Sequence, residues 1–68
     1  MDNEQKLDAA RYLYILLKEE EMIKEDSFIT SYGKEDHRKK IKYLKLAINV
    51  LRAECGQYAL FDEDGKEI

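Results

Sequence analysis

From Lys34 to Cys55 the chain runs for 22 residues with no proline and no glycine. Ile41, Leu44, Ile48, Leu51 and Cys55 follow one another at alternating steps of three and four. That spacing stacks side chains along one stripe of an α-helix. Tyr43 and Ala47 lie beside the stripe and widen it into a core-facing surface. Arg38, Lys42, Lys45, Asn49 and Arg52 recur at helical steps on the opposite side. The stretch therefore predicts a long helix with one face that needs cover and one basic face that meets solvent or a ligand.

The size of the chain limits what can provide that cover. A chain of 68 residues makes one small domain, and such a domain buries only about 60% of its unfolded surface. A core of this size rarely supplies more than ~3–5 kcal/mol, so small folds usually add a staple. One cysteine excludes an intrachain disulfide. One cysteine and one histidine do not make a zinc site of the Cys/His kind. Assembly with another chain is the remaining device, and a homo-oligomer is expected.

The lone cysteine fits a reducing compartment. The polar start MDNEQKLD has no apolar run behind a basic region, so no secretory signal is expected. The longest apolar run, Tyr12 to Leu17, is six residues and too short to cross a bilayer. A cytoplasmic protein without a membrane partner is the expectation.

Leu7, Ala10, Leu13, Tyr14 and Leu17 mark the core face of a first helix, expected over about 3–25, with Tyr12, Leu16 and Ile23 extending it to one side. Asp2 or Asn3 can cap it, and Asp2 with Gln5 has capping-box spacing. The run Tyr12–Leu17 alone would suit a buried strand, but its flanks, DAAR and KEEEMIKE, are helix-forming. Ile15 projects away from the core stripe, and Met22 falls on nearly the same side two turns later. Their alignment marks a candidate partner surface with Tyr12 and Glu19.

Residues 26–33 (DSFITSYG) form a connection, with Phe28, Ile29 and Tyr32 expected to fold down as a lid and Gly33 free to adopt an unusual conformation. The second helix is placed at about 34–55, with Glu35 and Asp36 in its first turn and Gly56 as its C-terminal stop. In the tail, 57–68, Tyr58, Leu60 and Phe61 precede an Asp64-Gly65 turn signal, and a short β-hairpin is expected with Phe61 and Ile68 tied down. The fold class is thus mainly all-α: an antiparallel two-helix hairpin with a C-terminal β-hairpin, assembling as a dimeric four-helix bundle.

Catalytic chemistry finds little to use. Cys55 and His37 are the only Cys/His pair, and 18 residues of helix put them ~27 Å apart. Cys55 reads as a core residue and His37 as an exposed one in the first turn of the second helix. The DEDG of 62–65 lacks the later ligands of a calcium loop. Three glycines so far apart make no phosphate loop. The sequence predicts no enzyme, no cofactor and no metal.

Binding finds more. The net charge of −3 divides into −4 over 1–26, +4 over 27–55 and −3 over 56–68, which suits helices that neutralise one another or separate patches for partners. Five tyrosines favour an interface, since their rings give area with few rotors and a tip that tolerates water. The first reading is a protein-interaction module that binds and blocks or regulates a larger protein, an inhibitor of the kind that phage and mobile elements encode at this size. The alternative is a nucleic-acid-binding regulator using Arg38, Lys42, Lys45, Asn49 and Arg52, although the chain is acidic overall and its linker is too long for a compact helix-turn-helix. A self-assembling structural subunit is the third reading.

Overall fold

A computed structural model describes all of residues 1–68 as two antiparallel helices, a short connector and a folded-back tail. Helix α1 spans Asn3–Met22 and helix α2 spans Ser31–Glu54, with a single 3₁₀ turn at Glu25–Ser27 between them. The molecule is a rod of 41 × 21 × 16 Å. Its radius of gyration is 13.2 Å, against roughly 11 Å for a compact chain of this length.

Local chemistry accounts for each helix end. Asp2 caps α1 through Gln5 N at 2.8 Å while the Gln5 side chain returns to Asp2 N, so the capping box is complete. Helix α1 stops at Met22, where Ile23 turns extended. Helix α2 begins three residues before the expected Lys34, because Thr30 Oγ1 caps it by accepting from Gly33 N at 3.0 Å. Glu35 and Asp36 consequently lie beyond its first turn, and Gly33 is an ordinary helical residue. What Gly33 supplies is room: a Cβ there would meet the Phe28 ring and Thr30 Oγ1 at 3.3 Å. At the other end Gly56 takes φ +75°. Its N–H donates to Ala53 O, and Gln57 N–H donates to Arg52 O, which completes a Schellman motif.

The core is small. Ala10 and Leu17 from α1 meet Ile48 from α2, and Phe61 from the tail closes over them. Leu13, Tyr14, Ile41, Leu44, Leu51 and Leu60 pack around these four. Cys55, expected in the core stripe, is instead half-buried at the C-cap, with its Sγ 3.5 Å from Asn3 O. The stripe ends where the helix does. Tyr12, Leu16 and Ile23, expected to broaden the core face of α1, stay exposed.

The tail is not a β-hairpin. Phe61 and Glu67 form one isolated antiparallel bridge around a turn at Asp62–Gly65, and no sheet exists. The reason is competition for the same backbone groups. Asn49 Oδ1 accepts from Leu60 N (2.9 Å) and Phe61 N (3.1 Å), and its Nδ2 donates to Phe61 O at 2.9 Å. The Leu60 N–H, which a longer ladder would have given to Ile68 O, is donated to a side chain of α2 instead, and the ladder stops at two bonds, Ile68 N–H to Leu60 O and Asp62 N–H to Lys66 O. Phe61 is tied down as expected, whereas Ile68 is held only by its backbone N–H to Leu60 O and leaves its side chain in solvent.

Replacing Asn49 with Ala should leave these partly buried backbone groups of Leu60 and Phe61 unpaired, at a cost of about 1–3 kcal/mol. Urea unfolding of N49A against wild type reads the loss, and faster proteolysis within 57–68 reports release of the tail.

Candidate functional site

The connector holds the most enclosed polar pair. His37, expected to be exposed, is only 6% exposed. The earlier start of α2 is the cause: with the helix beginning at Ser31, His37 lies in its second turn and faces α1. Its Nδ1 is 2.5 Å from Glu20 Oε2, and the Phe28 ring covers it with centroids 4.9 Å apart. The contact is a hydrogen bond from the imidazole to the carboxylate in any form of the ring with a proton on Nδ1. Of the expected lid only Phe28 folds down, while Ile29 is 99% exposed and Tyr32 also faces water. Arg38 pairs with Glu25 at the rim of this cluster. The cluster joins α1, the connector and α2 and has the character of a clasp.

The basic stripe of α2 is largely turned to internal use. Lys45 Nζ donates to Gly65 O at 2.6 Å and lies 5.4 Å from the centroid of the Phe61 ring. Asn49 binds Leu60 and Phe61 as described, and Arg52 Nε donates to Tyr58 O at 2.9 Å. Three of the five residues predicted for ligand binding therefore hold the protein's own tail. Arg38 faces Glu25, and Lys42, 6.0 Å from the Tyr43 ring centroid, is the one cation of the stripe with neither an acidic partner nor a bond to the tail. On α1, Tyr14 Oη donates to Glu67 at 2.9 Å and Lys18 sits 3.5 Å from the same carboxylate. Desolvation beside the tail pulls the Lys18 ammonium down, but Tyr14 and Glu21 outweigh it and hold its pKa above the ordinary lysine value. The tail thus covers one flank of the helix pair, and residues of both helices anchor it there.

The other flank is bare. Leu16, Ile23, Tyr43 and Leu44 line an open trough between α1 and α2, bordered by Glu19, Glu20 and Asp36 and by Lys39 and Lys40. Tyr12 continues the α1 side of it one turn earlier, and Ala47 and Val50 continue the α2 side. Tyr12 is 65% exposed and Met22 is 81% exposed. Together with Ile15 and Glu19 they form an outer ridge on α1, adjoining the trough at Tyr12 and Glu19. Four of the five tyrosines (12, 32, 43 and 58) face water, and only Tyr14 is half-buried. The sequence singled out the ridge but missed the trough. Leu16 and Ile23 sit on the margin of the apolar stripe, where letters alone read as core.

No protein-family model, curated protein or solved structure matches the chain. No helix is long and apolar enough to cross a membrane.

His37→Ala opens a void beneath Phe28 and strips Glu20 of its partly buried partner. A loss of about 2–3 kcal/mol is expected, with Glu20→Gln milder because an amide oxygen still accepts from Nδ1. Chemical denaturation of the two variants ranks them; equal stability of H37A and wild type would show that the clasp contributes nothing.

Proposed function

We propose that the chain is a protein-interaction module: a helical hairpin that occupies the surface of a larger protein and blocks or regulates it. The observation that carries the reading is the amount of surface left uncovered. The protomer exposes 5442 Å², whereas a compact monomer of 8.1 kDa would expose about 4,500 Å². The surplus, roughly 900 Å², is close to one partner's share of a standard protein–protein interface. Its composition agrees with its size. Tyr12, Ile15, Leu16, Met22, Ile23, Tyr43, Leu46 and Val50 are all more than two-fifths exposed, and all lie on the two helices or, for Ile23, at the C-cap of α1. Tyr and Met are enriched in interfaces for their area and adaptability.

The mechanism is steric. The outer ridge of α1, with Tyr12, Ile15, Glu19 and Met22, supplies apolar anchors around one carboxylate, and docking it covers the partner's working surface. A four-helix bundle made of two hairpins belongs to the same reading, since it would use the surplus area on the flank that the tail leaves open. Nucleic acid is the weaker reading. Lys45, Asn49 and Arg52 are committed to the tail, and Lys39 and Lys40 already face Glu35 and Asp36 at 3.5 and 3.4 Å. Phosphate binding would need several free cations on one face.

Affinity capture from a lysate of the source cells, using the intact chain as bait, tests the reading. A captured protein should survive washing in moderate salt and be lost with Ile15→Asp, a change on an exposed helical position that leaves the fold intact by circular dichroism. Capture that is insensitive to I15D and to Met22→Asp places the ridge outside the interface.

A further inference from the structure

We infer that the trough between α1 and α2 is covered by a second copy of this chain, with α1 of each protomer lying against α2 of the other. The inference rests on the interaction reading above and names the occupant of one of its surfaces. Three observations carry it.

The first is charge. Helix α1 carries five acids against three bases, a net of −2, and α2 carries seven bases against three acids, a net of +4. A face made of one acidic and one basic helix is complementary to itself. Two hairpins brought together about a two-fold axis parallel to their helices set α1 against the partner's α2 and keep equal heights along the rod opposite one another. Glu19 then meets Lys39 and Lys40 of the other copy, and by the same operation Lys39 and Lys40 meet its Glu19. Such a contact is isologous, and each interaction occurs twice.

The second is the state of these groups in the protomer. Glu19 has no ion-pair partner. Lys39 and Lys40 are held only by exposed pairs one helical turn away on α2, and such pairs rearrange at little cost. Glu20, by contrast, is committed to His37. The trough therefore offers one free carboxylate on its α1 border and two cations on its α2 border.

The third is shape and area. The tail closes the opposite flank, so this flank alone can bring both helices of one hairpin against both helices of another. The antiparallel order of the protomer then extends to every neighbouring pair in the assembly, the arrangement of an up-and-down four-helix bundle. Leu16, Ile23, Tyr43 and Leu44 supply its apolar seam. Tyr43 is 54% and Leu16 50% exposed, so covering them removes apolar area that the protomer alone leaves in water. The outer ridge at Ile15 and Met22 stays outside the seam and is left for a larger protein.

Charge exchange tests the inference on the full chain. Sedimentation equilibrium at micromolar concentration should give twice the 8.1 kDa protomer mass. Glu19→Lys alone, and Lys39→Glu with Lys40→Glu, place like charges opposite one another in both halves of their homodimers. Each should weaken self-association roughly ten-fold or more. Mixing the two variants restores both contacts in the heterodimer and should recover near-native association. Intramolecular effects cannot produce that recovery. All three positions are exposed, and circular dichroism of each variant reports that it folds; Tyr43→Ser supplies a disruption independent of charge. A wild-type chain that sediments as the protomer overturns the inference, and so do variants that still dimerise at native strength or a mixture that does not recover. Ile15→Asp separates the two readings. A protomer that still captures a larger protein defeats this inference and spares the interaction reading, while a dimer that captures nothing through the ridge does the reverse.

Discussion

Asn49 decides where the tail, residues 57–68, goes. Two helices packed through Ala10, Leu17 and Ile48 leave the crevice between them open along both flanks. The amide of Asn49 reaches out of α2 and meets two N–H groups and one carbonyl of Leu60 and Phe61, which seats the Phe61 ring over that crevice. Neutral hydrogen bonds are each worth only about 1 kcal/mol net. Their value here is directional, since they fix the register in which the only large aromatic of the core arrives. Lys45 and Arg52, one turn to either side, extend the same contact along the tail. Three consecutive turns of one helix are thus spent on a segment with almost no secondary structure of its own.

That use of α2 makes the molecule two-sided. The tail flank is anchored from both helices, with Tyr14 and Lys18 meeting Glu67 from α1. The opposite flank has no third layer, and its apolar side chains stand at the edge of a core with four buried members. The asymmetry follows from where Asn49 and Phe61 fall, and it leaves the uncovered surface contiguous.

The helical hairpin was legible because helix formation and amphipathic spacing are local properties. Asp2 with Gln5 and Gly56 declared two of the four helix ends, and both behave as their chemistry requires. The start of α2 was hidden because Thr30 caps it through a glycine-containing turn that reads as a linker; the helix then reaches back and carries His37 into contact with Glu20. A buried histidine on a charged segment, GKEDHRKK, has no sequence signal beyond its distance from a new helix start. The stripe Lys45–Asn49–Arg52 was misleading for a different reason. Helical spacing shows which residues share a face, but not whether that face addresses an external ligand or the chain's own returning backbone. The ridge residues Ile15 and Met22 stood out because they break the pattern, whereas Leu16 and Ile23 were absorbed by it.

Stability and recognition are coupled in a molecule built this way. A core of this size rarely supplies more than about 3–5 kcal/mol, and occupancy of a surface by a ligand at one hundred times its dissociation constant adds about 2.7 kcal/mol. The second quantity is a large fraction of the first. Covering the bare flank would therefore shift the folding equilibrium toward the native state by an amount that matters in so small a protein. The two flanks also differ in kind. The tail is tethered, so its local concentration is fixed by the chain, whereas whatever meets the trough must be present in solution and its contribution varies with concentration. The protomer depends on its own tail for one flank, and the other flank stands open to solvent.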